Sequence, residues 1–341
     1  MGLISKLTPV CRITGGRNTA ATIQQRLISC TVVDAAGLES DSISIQIEAG
    51  GLMDWPRTGQ VIGCEMGYKE DDSVTALGQF KLSRISENLS PNTITLTGTA
   101  APFHASDETE LKQARSETWW HTTVGDVVRA IAQRHGFSPR VHPELDQLPV
   151  LHIDQTEEPD LKFLTRLAGL NDAVCKPVDS LLVFARRGQV KSLTGRALTP
   201  VTIQHPPNNA PGTPAYVSGS ITGSDRGQYS GVTAHWYDGN GVIEMTERSG
   251  QPPRKCLPAR YESQQSALTA IETEMRRIDR QGDKLQLDCP GNSELAAEGL
   301  LVLEGFPSER LSGQWSLDRV THSYNGGYRC AVVATRPINV V

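Results

Sequence analysis

Gly78-Gln79-Phe80-Lys81-Leu82-Ser83-Arg84-Ile85 decides how this chain is read, because its pattern returns as Gly313-Gln314-Trp315-Ser316-Leu317-Asp318-Arg319-Val320. Both run glycine, glutamine, aromatic, any, leucine, any, arginine, aliphatic. Each is followed by a turn, Ser90-Pro91-Asn92 or Asn325-Gly326-Gly327, and then by another strand-like run. Two shorter correspondences precede them in the same order: Asp34-Ala35-Ala36-Gly37-Leu38 with Asp238-Gly239-Asn240-Gly241-Val242, and Gly67-Tyr68 with Gly305-Phe306. Any one of these alone is ordinary hairpin chemistry. Their shared order reads as an internal duplication.

Working outward from the first copy, Ile28–Val33, Ser42–Ile47, Gln60–Met66 and Thr93–Thr97 alternate apolar and polar residues. A period of two puts one face of each strand in a core. Several short antiparallel strands of this kind predict a small barrel or sandwich. Strand texture returns at Tyr216–Ile221, Gly231–Tyr237 and Gly241–Met245, and continues to the C-terminus after one helix over 263–280, whose stripe is Leu268, Ile271, Met275 and Ile278. That helix and its flanks are an insertion in the second copy, between the Asp-x-x-Gly turn and the Gly-aromatic turn.

The middle of the chain changes period. Val124, Val127, Val128, Ile131 and Ala132 fall at helical spacing behind a Thr123 cap, with Gly136 as terminator. A second helix starts near Pro159-Asp160 and carries Leu161, Leu164 and Leu167. Short strands at Val150–Ile153, Ala173–Lys176 and Leu181–Phe184 complete a small α+β module. The expected fold class is therefore mainly β with an α+β insert. Residues 1–105 form a first β-domain, 106–190 the module, 191–215 a Pro-rich extended connector, and 216–341 a second β-domain carrying the inserted helix.

Composition excludes several functions. The 341 residues carry a net charge of −5, with 8 basic against 10 acidic side chains in 1–105, 10 against 13 in 106–190 and 15 against 15 in 191–341. No region has the cationic excess that phosphate-backbone binding requires, so sequence-specific nucleic acid is not expected as a partner. No apolar run approaches a membrane span, and Met1-Gly2-Leu3-Ile4-Ser5-Lys6 opens without the apolar core of an export signal. The 7 cysteines are scattered without a C-x-x-C pair, and read as buried thiols of a reducing compartment.

Catalytic patterns are missing. Glu157-Glu158 with Asp160 offers a carboxylate cluster, but a helix start explains it as dipole capping. His135, His142 and His152 match no metal template. Trp119-Trp120 is a sugar-stacking candidate whose commoner role is a core plug. Thr122–Ala132 has the Val, Gly-Asp and Ile-Ala order of a LysM opening, although helix capping accounts for the same residues. No phosphate loop or nucleophile elbow occurs. No enzyme, metal or cofactor is expected.

Three further stretches carry a resemblance. Ser116–Val128, then His152-Ile153-Asp154-Gln155-Thr156-Glu157-Glu158-Pro159-Asp160 through Leu164-Thr165-Arg166-Leu167-Ala168, and Ala173-Val174-Cys175-Lys176-Pro177 are similar to the late-control protein D family of contractile phage tails and contractile bacteriocins. The resemblance implies a baseplate hub akin to the hub half of VgrG proteins, in which two tail-tube-like barrels per chain build a homotrimeric ring of six. Such a ring would sit between a hexameric tail tube and a trimeric spike. The implied partners are further copies of the chain, a separate spike protein, the tube protein, other baseplate proteins and, as a further candidate, the tape-measure protein; no membrane is implied. The expected location is a virion tail or bacteriocin particle assembled in the host cytoplasm. Candidate tube or spike contacts are the turn residues Asp34, Gly37, Asp41, Asp71, Asp72, Ser308 and Glu309. A cell-wall hydrolase or a peptidoglycan-binding protein of the tail tip is the alternative.

Overall fold

The computed structural model describes residues 7–36, 40–51, 56–70, 73–100, 113–178, 181–186, 199–205, 218–223, 229–237, 241–246, 252–280 and 282–337. The N-terminal part forms β1 (Pro9–Gly15), α1 (Arg17–Gln25), β2 (Leu27–Ala35), β3 (Ser42–Glu48), β4 (Val61–Tyr68), β5 (Thr75–Leu89) and β6 (Asn92–Ala100). The middle forms β7 (Ala114–Thr123), α2 (Val124–Arg134), β8 (Ser138–Val141), α3 (Pro143–Asp146), β9 (Pro149–Pro159), α4 (Asp160–Leu170), β10 (Ala173–Val178) and β11 (Leu181–Arg186). After these come β12 (Val201–Gln204), β13 (Ser218–Gly223), β14 (Gly231–Tyr237), β15 (Val242–Thr246) and β16 (Arg254–Tyr261). The chain closes with α5 (Gln264–Arg280), β17 (Asp283–Pro290), β18 (Leu300–Glu304), β19 (Gly313–Tyr324) and β20 (Tyr328–Thr335).

Two compact units result, the first comprising Met1–Ala101, Thr199–Ile221 and Leu285–Ala334. Its strands run β1-β4-β5-β6-β3-β2-β19-β20-β17-β13, with β18 between β19 and β12. Split at the β2–β19 step, this is one order written twice: β1-β4-β5-β6-β3-β2 and β12-β18-β19-β20-β17-β13. Register repeats as well. Ile62 faces Phe80 and Cys64 faces Gly78, as Leu301 faces Trp315 and Leu303 faces Gly313. The repeated motif's aromatic and leucine point inward, Phe80 and Leu82 each 1% exposed and Trp315 and Leu317 0% and 1%. Its glycine is needed at both places, because Gly78 (φ +141°) and Gly313 (φ +99°) hold a backbone conformation that side chains resist. At the outer strand the copies differ, since β1 meets β4 antiparallel whereas β12 meets β18 in parallel.

The structure departs from the sequence reading in four respects. The stretch 191–215 is more than a connector, for it contains β12, the outer strand of the second copy. The insertion in the second copy is wider than one helix and its flanks: β14, β15, β16 and α5 all belong to the second unit, which takes in Thr222–Lys284. The Asp238 turn therefore does not correspond to the Asp34 turn; residues 238–240 lie outside the described ones, but the strands flanking them sit in the separate sheet β15-β14-β16. In strand order the whole stretch between β13 and β17 takes the place of the short β2–β3 connection. By the shared register Gly305 corresponds to Met66, one position away from Gly67. Neither β1 nor α1 was expected, because α1 has no side-chain cap and no acid in its first turn.

The second unit, Pro102–Leu198, Thr222–Lys284 and Thr335–Val341, holds the expected α+β module. Thr123 caps α2 by accepting from the Asp126 N–H (3.1 Å), and Gly136 ends it at φ +75°. α2 and α4 bury Val127, Val128, Ile131, Phe163, Leu164 and Leu167 in one core beside the sheet β10-β11-β8. A second core joins Ala267, Ile271 and Met275 of α5 to Val232, Ala234 and Leu257.

Candidate functional site

Among its described residues the first unit presents strand edges. An open edge exposes a row of backbone donors and acceptors that either finds a cover or recruits a strand. At β1 the cover is α1: the Gln24 side chain accepts from the Ile13 N–H (2.7 Å) and donates to the Cys11 carbonyl (3.0 Å). At β2 the cover is the other copy, Arg319–Tyr324 of β19 pairing antiparallel with Cys30–Ala35. Three stretches stay open among the described strands. These are β12, β13, and the C-terminal half of β5, which beyond Lys81 keeps only β6 as a strand neighbour. Leu89 at the end of that half is 88% exposed. No sequence signal marks these edges, since period-two alternation is the same for interior and outer strands.

The expected contact residues fall in two groups. Asp34 accepts from the Ala297 N–H (2.7 Å) and Asp41 from the Ala35 N–H (3.1 Å), so both carboxylates hold turns of the barrels in place. Ser308 opens a turn in which its carbonyl accepts from Leu311 and Ser312, and Glu309 is exposed beside it. Gly37, Asp71 and Asp72 lie outside the described residues.

Scattered in sequence, three cysteines meet in space. The sulfurs of Cys11, Cys30 and Cys64 lie within 4.8 Å of one another in the first barrel's core, and this is the only set of three potential metal ligands that meets among the described residues. Cys256 alone of the seven is exposed.

In the second unit the acids do structural work. The helix begins at Asp160, so Glu157 and Glu158 lie on β9 and do not cap it. Glu158 instead pairs with Arg166 at 2.7 Å. Asp160 is fully buried, receiving Arg134 at 3.0 and 3.1 Å, His135 Nε2 at 2.7 Å and Gln155 Nε2 at 2.7 Å. Burial pushes its carboxyl up, but the hydrogen bonds from Gln155, His135 and Arg134 outweigh that and hold it below the usual carboxylate value. The three histidines serve separate places: His135 on Asp160, His142 capping α3, and His152 beside Asp154 (3.2 Å).

Of the tryptophan pair, only Trp119 plugs the core, stacked on Phe163 with 6.2 Å between centroids. Trp120 is 61% exposed and meets the rings of His121 and His152 edge-on, each 5.0 Å away. His152 also lines a mainly apolar cleft of about 360 Å³ that runs between Val150, Leu167 and Leu170 on one side and Tyr261 and Ala270 on the other.

A duplicated barrel with an α+β insert is a fold shared with solved proteins of phage tails and secretion systems. The 43 kDa tail protein of prophage MuSo2 from Shewanella oneidensis superposes with a TM-score of 0.68 at 11% identity, over 96% of this chain and 98% of that one. An E. coli component of the type VI secretion system, described as structurally similar to bacteriophage T4 tail proteins, gives 0.56 at 11% identity, over 92% and 74%. At these identities the likeness concerns the fold. Sequence then places the chain in a family: "Phage tail baseplate hub (GPD)" matches residues 110–328, and the chain belongs to it. The "Probable baseplate hub protein" of Escherichia phage P2 is 31% identical over 234 residues, covering 68% of this chain and 57% of that protein. Its counterpart in Escherichia phage 186 is 27% identical over 270 residues, 79% and 64%. The chain thus spans about three-fifths of the length of these relatives. It is a member of the phage tail baseplate hub family, mainly β, and among its described residues no helix is long and apolar enough to cross a membrane.

Proposed function

We propose that the chain is a non-enzymatic adaptor: three copies form a ring of six barrels, with a hexameric tail tube on one face and a trimeric spike on the other. The observation that carries this reading is the double writing of one strand order, with the two copies joined edge to edge through β2 and β19. Two like modules per chain turn a three-fold assembly into six near-equivalent positions, which is what a six-fold partner needs, while three-fold symmetry remains for the spike. Turns at Asp34, Gly37, Asp41, Asp71, Asp72, Ser308 and Glu309 are the proposed axial contacts. The remaining partners are other baseplate proteins and the tape-measure protein.

Mass photometry of the purified full chain, with and without spike protein, tests the ring. Particles of three-chain mass are expected, and a chain that stays monomeric with its spike present would contradict it. A second reading, glycan capture by the second unit, draws on exposed Trp120. Trp120→Ala should then abolish co-sedimentation with murein sacculi, and no binding by the unaltered chain would eliminate it.

A further inference from the structure

We infer that the ring closes through a strand pair between copies of this chain: β13 of one chain lies antiparallel beside residues 84–89 of β5 in the next. The inference rests on the ring reading above and assigns the residues of its joint. In the second barrel, β19 is shared along its length between two neighbours on one side, Gly313–Ser316 facing β18 and Arg319–Tyr324 facing β2. In the first barrel the matching half, Gly78–Lys81, faces β4. The other half, Arg84–Leu89, corresponds by the repeat to Arg319–Tyr324, yet no described strand takes the place of β2 beside it.

The missing neighbour is present elsewhere in the chain. By strand order the counterpart of β2 is β13, and β13 has β17 on one side and no described strand on the other. Each chain therefore carries one completed joint, β2 on β19, and both halves of a second joint of the same kind, one half in each barrel. Repeating the operation that sets the second barrel against the first brings β13 of one chain to β5 of the next. Rotation by the same step closes a ring rather than a filament when six barrels complete the turn.

Side-chain exposure agrees. Val320 and His322, covered at the completed joint, are 0% and 1% exposed, whereas their counterparts are half-buried Ile85 and exposed Glu87, and Leu89 is 88% exposed where its counterpart Tyr324 is half-buried. β13 reads Ser-Gly-Ser-Ile-Thr-Gly, with Ile221 its one half-buried residue. It lacks the lysine, proline or inward charge by which an outer strand is kept from pairing.

Disulfide trapping tests the joint on the full chain, in a Cys256→Ala background that removes the exposed thiol. Ser220→Cys is combined in turn with Ser86→Cys, Glu87→Cys and Asn88→Cys, and each protein is oxidised in air. At least one pair should give covalent dimers and trimers, nothing larger, all reverting under reductant. Leu89→Asp supplies a second measurement that spares the fold, since this side chain is already in solvent; it should weaken trimer formation about tenfold or more. Trimers by mass photometry with no cross-link from any pair, and with Leu89→Asp unchanged, would overturn the joint and leave the ring standing. A chain that never trimerises would overturn the ring itself, and the joint with it.

Discussion

The two barrels share strand order and register, yet Val320 is fully buried while Ile85, its counterpart in the repeat, is half exposed. Local sequence does not explain the difference, for the motif is the same. What differs is the neighbour: β2 lies against one and no described strand against the other. The copies also differ between their last two strands in the sheet order. In the first barrel β2 turns directly into β3; in the second the corresponding step from β13 to β17 is interrupted by strands and a helix of the other unit. Duplication has kept the inward-facing positions, and the variation lies at an edge and in a connection.

The strongest way to break the comparison is to cut both copies at the same place. Phe80→Ala and Trp315→Ala remove matched, fully buried rings, and each should cost about 3–5 kcal/mol in chemical denaturation. A cost below about 1 kcal/mol at either would show that the barrels are not built around equivalent residues.

Asp160→Asn should come next, at about 2–3 kcal/mol, because it removes the buried carboxylate to which Arg134, His135 and Gln155 donate and leaves Arg134 with Glu117 alone. The loss should be confined to the second unit, followed by exchange protection of α2 and α4 while the barrel amides are unchanged. Its pH dependence has a fixed sign. A carboxyl held below its unfolded value contributes fully above that value, about pH 4, and the contribution is lost as pH falls through the lower folded value. Acid titration of the unaltered chain should therefore loosen the second unit below about pH 4, and the variant should lack that transition.

Smaller effects sharpen the edge difference. Val320→Ala should cost the isolated chain about 1–2 kcal/mol, whereas Ile85→Ala should cost it about 0.5 kcal/mol or less and should weaken self-association instead. Equal costs in both assays would erase the distinction. Asp34→Ala, which removes the acceptor for the Ala297 N–H, should destabilise the first unit by about 1 kcal/mol, read as a shift in denaturation midpoint at unchanged slope.

Much of the fold was legible because it is carried by periodic patterns. The repeated glycine, aromatic and leucine located both barrels, and Thr123 with Gly136 bounded α2 within a residue or two. The elements without a local signal are not legible. β1 is recognisable only from its pairing with β4, α1 only from the Gln24 side chain that covers β1, and β12 only from β18, about a hundred residues away. The Asp238 turn is ambiguous for the opposite reason, since a hairpin turn looks alike in any sheet. Asp160 is legible as a helix-start acid, but nothing near it in sequence indicates Arg134 and His135, which arrive from the C-terminal end of α2. The resemblance rested on stretches of the α+β module, and the family match includes them. Edges and joints are the least legible, because they depend on what the next strand is and which chain supplies it.

Electron microscopy of the purified full chain bound to its spike protein tests the central claim most directly. The expected class averages show a ring with three-fold symmetry and six similar barrel densities, the second unit repeating three times. A ring with only three barrels, or a chain bound to the spike as a single copy, would contradict the account.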